Sequence, residues 1–283
     1  MSELTAIDNS IISIGNDLVQ VVPSVDPYNP LGLPPYTVRV KVAQGHAPEP
    51  TQYMTWDSKV LVDPVENVWD ITKNSTSWGN LFGNNHNITE VLGANASGVT
   101  NMASMFYDCT SLISVALFDT SSATSTRGMF TWCHSLPSVP LFDTSSCVDM
   151  QHMFSCCNTL TTVPLFNTSS CTNMSKMFIL CSSLTSVPLF DTSSCTDMSG
   201  MFQSCGSLTI VPLFDTSSCI DMDVMFERCV NVQSGALALY QQASTQQTPP
   251  KSHDQTFTDC GDNTVTGAAE LAQIPRNWGG EKG

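Results

Sequence analysis

The sequence predicts a repeat solenoid, short parallel strands plus short helical turns, with a small N-terminal β cap and a C-terminal cap. Three observations predict it. A Met-Phe pair recurs every 24 residues, at Met105-Phe106, Met129-Phe130, Met153-Phe154, Met177-Phe178, Met201-Phe202 and Met225-Phe226. The apolar slots recur with it: Leu112, Leu136, Leu160, Leu184 and Leu208; Val115, Val139, Val163, Val187 and Val211; Phe118, Phe142, Phe166, Phe190 and Phe214. Finally, a unit of this size cannot bury its own apolar face, so a fixed period of this length implies stacking of neighbours.

In chain order, residues 1–35 hold short apolar runs and the Pro-rich VDPYNPLGLPPY, which reads as an extended arm or linker. Residues 36–77 form the β cap. Tyr36 to Val42 alternates, with Val38, Val40 and Val42 on one face and Thr37, Arg39 and Lys41 on the other, the period of a strand. A second strand pair fits Lys59 to Val62 and Asn67 to Ile71. Residues 78–232 form the solenoid. A degenerate first copy places Leu81-Phe82, Ile88 and Val91 one period before Met105-Phe106, Leu112 and Val115, and Val232 continues the Leu slot at the far end. Residues 233–283 form the C-terminal cap. GALALYQQAS reads as a short helix, Phe257 and Cys260 restore the F-x-x-C spacing once, and GAAELAQIPRNWGG is expected to fold back over the last rung.

Within a unit, Asp149, Asn173, Asp197 and Asp221 stand directly before a Met, where a side-chain oxygen can cap the free amides of a helix start. The M-x-x-M-F segment then reads as the helical turn. The L-x-x-V-x-L-F stretch reads as the strand, kept short because Pro140, Pro164, Pro188 and Pro212 each remove one ladder amide. D-T-S-S closes the unit as a turn.

Ten basic against 25 acidic residues give a formal net charge of −15, which disfavours a phosphate backbone as partner. No stretch approaches 18 consecutive apolar residues, so no membrane insertion is expected. The start MSELTAIDNS lacks a basic and an apolar signal region, so export by the usual route is not expected either. Of the 12 cysteines, Cys109, Cys133, Cys157, Cys181, Cys205 and Cys229 form one ladder, and Cys147, Cys171, Cys195 and Cys219 a second. Buried free thiols are the reading preferred over disulfides or a metal site, because stacked Cα–Cβ vectors are parallel. Cys156 and Cys260 stand outside both ladders.

The candidate site comes from an internal contrast. The V-P-L-F-D-T-S-S-C slots hardly vary between copies, whereas the paired positions inside M-x-x-M and F-x-x-C vary completely and are expected to face outward as one stripe. Its members are Tyr107, Asp108, Arg127, Trp132, Gln151, His152, Lys176, Ile179, Leu180, Gln203, Glu227 and Arg228. Large aromatic and apolar groups at exposed positions point to a contact surface, with drift at unconstrained positions as the alternative. Asp119, Asp143, Asp191 and Asp215, with Asn167 between, form an acidic ladder. Calcium between rungs is one reading; bonds from the following Thr and Ser amides are the preferred one. No catalytic constellation, cofactor motif or metal-ligand spacing occurs, so no enzyme and no cofactor are expected.

The order C-x-x-L-x-x-V-x-L followed by M-F-x-x-C resembles the BspA-like leucine-rich repeats, and the L-F-D-T-S-S-x-x-D-M form is similar to repeats of bacterial adhesins, mycoplasma lipoproteins and tailed phages. The resemblance covers about residues 78–260 and implies a leucine-rich-repeat solenoid used in adhesion or recognition, without catalysis. With no export signal, it implies a phage virion-surface protein, of capsid decoration, fibre or tail type. The N-terminal arm and cap would then meet capsid or tail proteins, and the solenoid a host surface protein or glycan; a homo-oligomer is left open. A bacterial cell-surface adhesin and a purely structural particle component are the alternatives.

Overall fold

The computed structural model describes residues 26–50, 52 and 54–281, together with the backbone of three strands before them. Those strands, β1 (Thr5–Asp8), β2 (Ile11–Ile14) and β3 (Asp17–Gln20), pair antiparallel in the order β1-β2-β3. The reading of residues 1–35 as an extended arm therefore fails for this part. The rest of residues 1–25 lies outside the described residues.

The strands expected within residues 36–77 are present. Strands β4 (Thr37–Val42), β5 (Ser58–Asp63) and β6 (Val68–Thr72) join β7 (Ile88–Asn95) and the two-residue β8 (Ser114–Val115) in one sheet of order β5-β6-β4-β7-β8. Val38, Val40 and Val42 are buried, as their alternation predicts. Strand β7 belongs to both parts of the chain. It pairs antiparallel with β4 and parallel with β8, so the first repeat copy is also a cap strand.

In the copies beyond β8 the expected strands and helical turns are absent. The L-x-x-V-P-L-F stretches carry no strand in the later copies, because the proline and the turns around it leave about one inter-copy bond each, such as Thr185 N–H to the Thr161 carbonyl at 3.2 Å. The M-x-x-M-F segments are not helical turns either; they are where the copies pair. The amides of Met150, His152, Phe154 and Cys156 donate to the carbonyls of Asn173, Ser175, Met177 and Ile179 at 2.8–3.0 Å. The alternate amides of Met153, Ser155 and Cys157 close local turns onto the carbonyls three residues back at 3.0–3.1 Å. This division of donors repeats in every copy from residue 78 to residue 258, so the units form a stacked repeat.

Left-handed residues make the division possible. Two per copy have positive φ, including Ser104 and Asp108, Gly128 and Trp132, His152 and Cys156, Lys176 and Leu180. Each is the third residue of a four-residue turn, the position that a type II turn requires to be left-handed. The capping residues act as expected, but on turns: the Oδ1 atoms of Asp149, Asn173, Asp197 and Asp221 accept the amide two residues on at 2.9–3.0 Å.

The core is one continuous column. Phe82, Phe106, Phe130, Phe154, Phe178, Phe202, Phe226 and Phe257 stack with centroids 5.2–6.0 Å apart and planes within 11° of parallel. That is the offset arrangement aromatic rings prefer. The second Phe ladder packs beside it, and all the predicted Leu-slot residues are buried.

All 12 cysteines are free, and 11 are buried. They are more than filler. The thiols of Cys133, Cys157, Cys181, Cys205 and Cys229 each donate to the carbonyl of a Phe on the preceding copy at 3.0–3.2 Å. Burial pushes these thiols well up from their ordinary value, Cys229 to about 12. Cys260, expected to stand outside the ladders, continues the first one. The last coil is displaced by an insertion, so that Ser252 pairs with Asp221, and Cys260 is buried where its neighbour Gly261 donates its amide to the Cys229 carbonyl at 3.0 Å.

That insertion contains α1 (Ala236–Thr245), the expected short helix. Gly235 admits it, since a Cβ there would lie 2.2 Å from the Val211 carbonyl oxygen. The tail folds back as expected: α2 (Val265–Leu271) and a 3-10 turn, Arg276–Trp278, bring Trp278 onto Phe257 (centroids 6.5 Å) and flat against His253 (4.1 Å). Trp56 closes the other end, its ring 5.8 Å from Phe82 and its Nε1 donating to the Leu81 carbonyl at 3.0 Å. No helix among the described residues is long and apolar enough to cross a membrane.

Candidate ligand-binding face

The pairing segments place the variable slots at every turn of the stack, but not all of them face outward. Thr131, Ser155 and Ser175 are buried, as are Gly128 and Gly200, so the outward stripe is narrower than the sequence suggests. Thr131 shows why: its hydroxyl turns in and donates to the His152 carbonyl at 2.7 Å. Nor is exposure confined to variable slots. The unvarying Leu141, Leu165, Leu189 and Leu213 are 51–61% exposed and make an apolar ladder on another side, where Tyr28 of the Pro-rich segment lines a cavity together with Leu141 and Leu165.

Of the twelve predicted stripe residues, four converge. Tyr107 and Trp132, on adjacent copies, approach with centroids 5.6 Å apart and planes 31° apart. With Arg127 and His152 they line a cavity of about 310 Å³. Trp132 is 42% exposed although its backbone is left-handed, φ 65°. Such a conformation costs an L-residue roughly 1–2 kcal/mol, met here by the bonds its segment makes to the next copy. Burial, then the nearby Lys176 and Arg127, push the His152 imidazole below its ordinary value, and Asp149 opposes them.

The other predicted residues are distributed along the stripe. Asp108 faces His86 at 3.7 Å, Gln151 donates to the Ser175 hydroxyl at 2.9 Å, and Gln203 donates to Glu227 two thirds of the way to the far end. Ile179 is half-buried, while Leu180 and Arg228 are exposed. Ser104, Gly128, Thr131 and Ser155 also line the cavity; they are variable-slot residues outside the twelve candidates. Gly128 was the available signal, since a glycine in an otherwise side-chain-bearing slot marks a left-handed backbone. The acidic ladder follows the preferred reading: Asp119, Asp143, Asn167 and Asp191 each accept both the amide and the hydroxyl of the Ser two residues on. At Asp143 the Ser145 hydroxyl and amide hold the carboxyl below its usual range.

The period, the ladders and the stacked turns have a counterpart among known families. Residues 53–162, and again 137–240, match the family described as Mycoplasma protein of unknown function, DUF285. The chain belongs to this family. The two DUF285 matches together span about two thirds of the 283 residues, from the β cap through the stacked copies to α1. The expected kinship with BspA-like repeats is in keeping with the DUF285 match at the level of a repeat family. No curated protein and no solved structure matches the chain significantly.

Proposed function

We propose that this DUF285 chain is a leucine-rich-repeat-type solenoid that works as a non-enzymatic binding protein on a virion surface. The solenoid is the displayed part; the β cap and the segment before it attach it to capsid or tail proteins. The observation that carries the binding reading is the Tyr107–Trp132 cavity, formed where the only aromatic neighbours of the variable stripe meet on adjacent copies. Aromatic groups in a partly open pocket are the usual anchors of a binding site. The likeness of the repeat to those of tailed phages supports the virion setting. A second reading, display on a bacterial cell surface, is favoured by the family's description as a Mycoplasma protein.

The test has two parts. Quantitative mass spectrometry of purified particles is expected to find the polypeptide at a fixed copy number; its absence removes the virion reading. Fluorescently labelled protein is then offered to host cells. Trp132→Ala or Tyr107→Ala is expected to lower cell binding at least tenfold, and unchanged binding by both variants removes the cavity as the site.

A further inference from the structure

We propose that the Tyr107–Trp132 cavity takes a six-membered sugar ring that carries a carboxylate. This rests on the reading of the cavity as a binding site and names its ligand class. The volume, about 310 Å³, is at the lower end of small-molecule sites, which run roughly 300–1,000 Å³. It suits one ring better than an extended chain. The two aromatic rings, with centroids 5.6 Å apart and planes 31° apart, pack against each other and together present one apolar, electron-rich platform suited to the C–H face of a pyranose.

The polar lining is complementary to a sugar's rim. The Ser104 hydroxyl and the His152 ring can donate and accept, while the Thr131 hydroxyl is already engaged with the His152 carbonyl. No carboxylate lines the cavity. Arg127 is exposed at its edge and forms no ion pair among the described residues, whereas Arg39, Lys41, Lys59 and Lys73 in the β cap each face an acidic partner within 4.0 Å. In a chain of net charge −15, an unpaired guanidinium with Lys176 and His152 close by, against Asp149 as the nearby acid, is a local excess of positive charge. The guanidinium fork matches a carboxylate in bidentate geometry, which a neutral sugar cannot use. The same net charge disfavours a polyphosphate, and an aromatic peptide side chain would leave the cations without a role.

The experiment uses the full chain and two sugars identical but for one group, methyl β-D-glucuronide and methyl β-D-glucoside, with methyl α-N-acetylneuraminide as a second acid. Binding is followed by titration of the Trp132 indole N–H resonance, identified by its loss in Trp132→Phe. At least one acidic sugar is expected to shift this resonance and to bind at least tenfold tighter than the glucoside. Which acid does so separates a uronic from a sialic source. Arg127→Gln is expected to lose that preference while its melting temperature stays at the wild-type value. Equal binding of glucoside and acids, with Arg127→Gln indistinguishable from wild type, overturns the proposal. So does the absence of any shift with all three sugars. In either case the binding reading is judged separately, by the effect of Trp132→Ala and Tyr107→Ala on cell binding, which requires no sugar.

Discussion

Replacing Phe154 by Ala tests whether the aromatic column holds the stack together. Phe154 is fully buried, with Phe130 and Phe178 stacked on its two faces at 5.7 and 5.6 Å and Phe166 beside it at 6.0 Å. Truncating a buried Phe costs about 3–5 kcal/mol, the larger values where the surroundings cannot collapse. Collapse is blocked here, since the Phe154 amide bonds to the Met177 carbonyl and the Phe130 amide to the Met153 carbonyl, both at 2.9 Å. The expected loss is therefore about 5 kcal/mol, a third or more of a typical domain's stability. Phe257→Ala at the column's end supplies the comparison. Phe257 has rings at 6.0 and 6.5 Å only, and the Trp278 turn can settle into the gap, so about 3 kcal/mol is expected. Urea titrations followed by circular dichroism and tryptophan fluorescence measure both. Because each copy touches only its neighbours, the interior variant should also separate the transition into two steps, whereas the end variant should not. Equal losses below about 2 kcal/mol for both variants would refute the column as the main source of cohesion.

Further outcomes follow from particular residues. In native protein at pH 8, iodoacetamide should modify Cys156 alone, the one half-buried thiol of 12, and all of them after unfolding, as counted by intact mass; several modified thiols in the native protein would contradict the thiol-to-carbonyl ladder. Val224→Gly should raise the melting temperature by about 1–3 °C, because a β-branched residue is held at φ 52° where glycine is at ease. No rise would show that the turns impose no such strain. For His152, whose folded value lies below the ordinary 6.5, the stabilising contribution is fully present above 6.5 and is lost as the pH falls through the lowered value. A bound carboxylate opposes this by favouring the charged ring, so affinity for an acidic sugar should rise from pH 7.5 to 5.5, with Lys176, Arg127 and Asp149 as the other nearby charges. His152→Gln should flatten that rise, measured by the same indole titration.

The period made the stack, its core slots and both caps legible, because Phe, Leu and Cys recur wherever a side chain must meet its own image on the next copy. Local conformation was not legible in the same way. M-x-x-M looks like one face of a helix, yet its amides are divided between turns and the next copy, and only Gly128, Gly200 and the Asn80 and Asn84 pair mark the left-handed positions. The proline of each V-P-L-F was read correctly as a lost donor, but its consequence, no strand at all in later copies, depended on the turns beside it. Leu141 and its equivalents show a second limit: constancy between copies was taken for burial, and these leucines are exposed. For the site, the sequence singled out Tyr107, Arg127, Trp132 and His152 among twelve candidates. Among them it favoured Trp132 and Tyr107, but the narrowing of the stripe was not legible, since the inward turn of Thr131 is fixed by a tertiary hydrogen bond to the His152 carbonyl.

Electron cryomicroscopy of the intact particles would test the central claim most directly. If the proposed virion setting holds, a slender projection is expected, attached through the β-cap end, with rungs ~4.8 Å apart along its length and the Tyr107–Trp132 side open to solvent. Particles without such a projection, or with that side sealed against another particle protein, would contradict it.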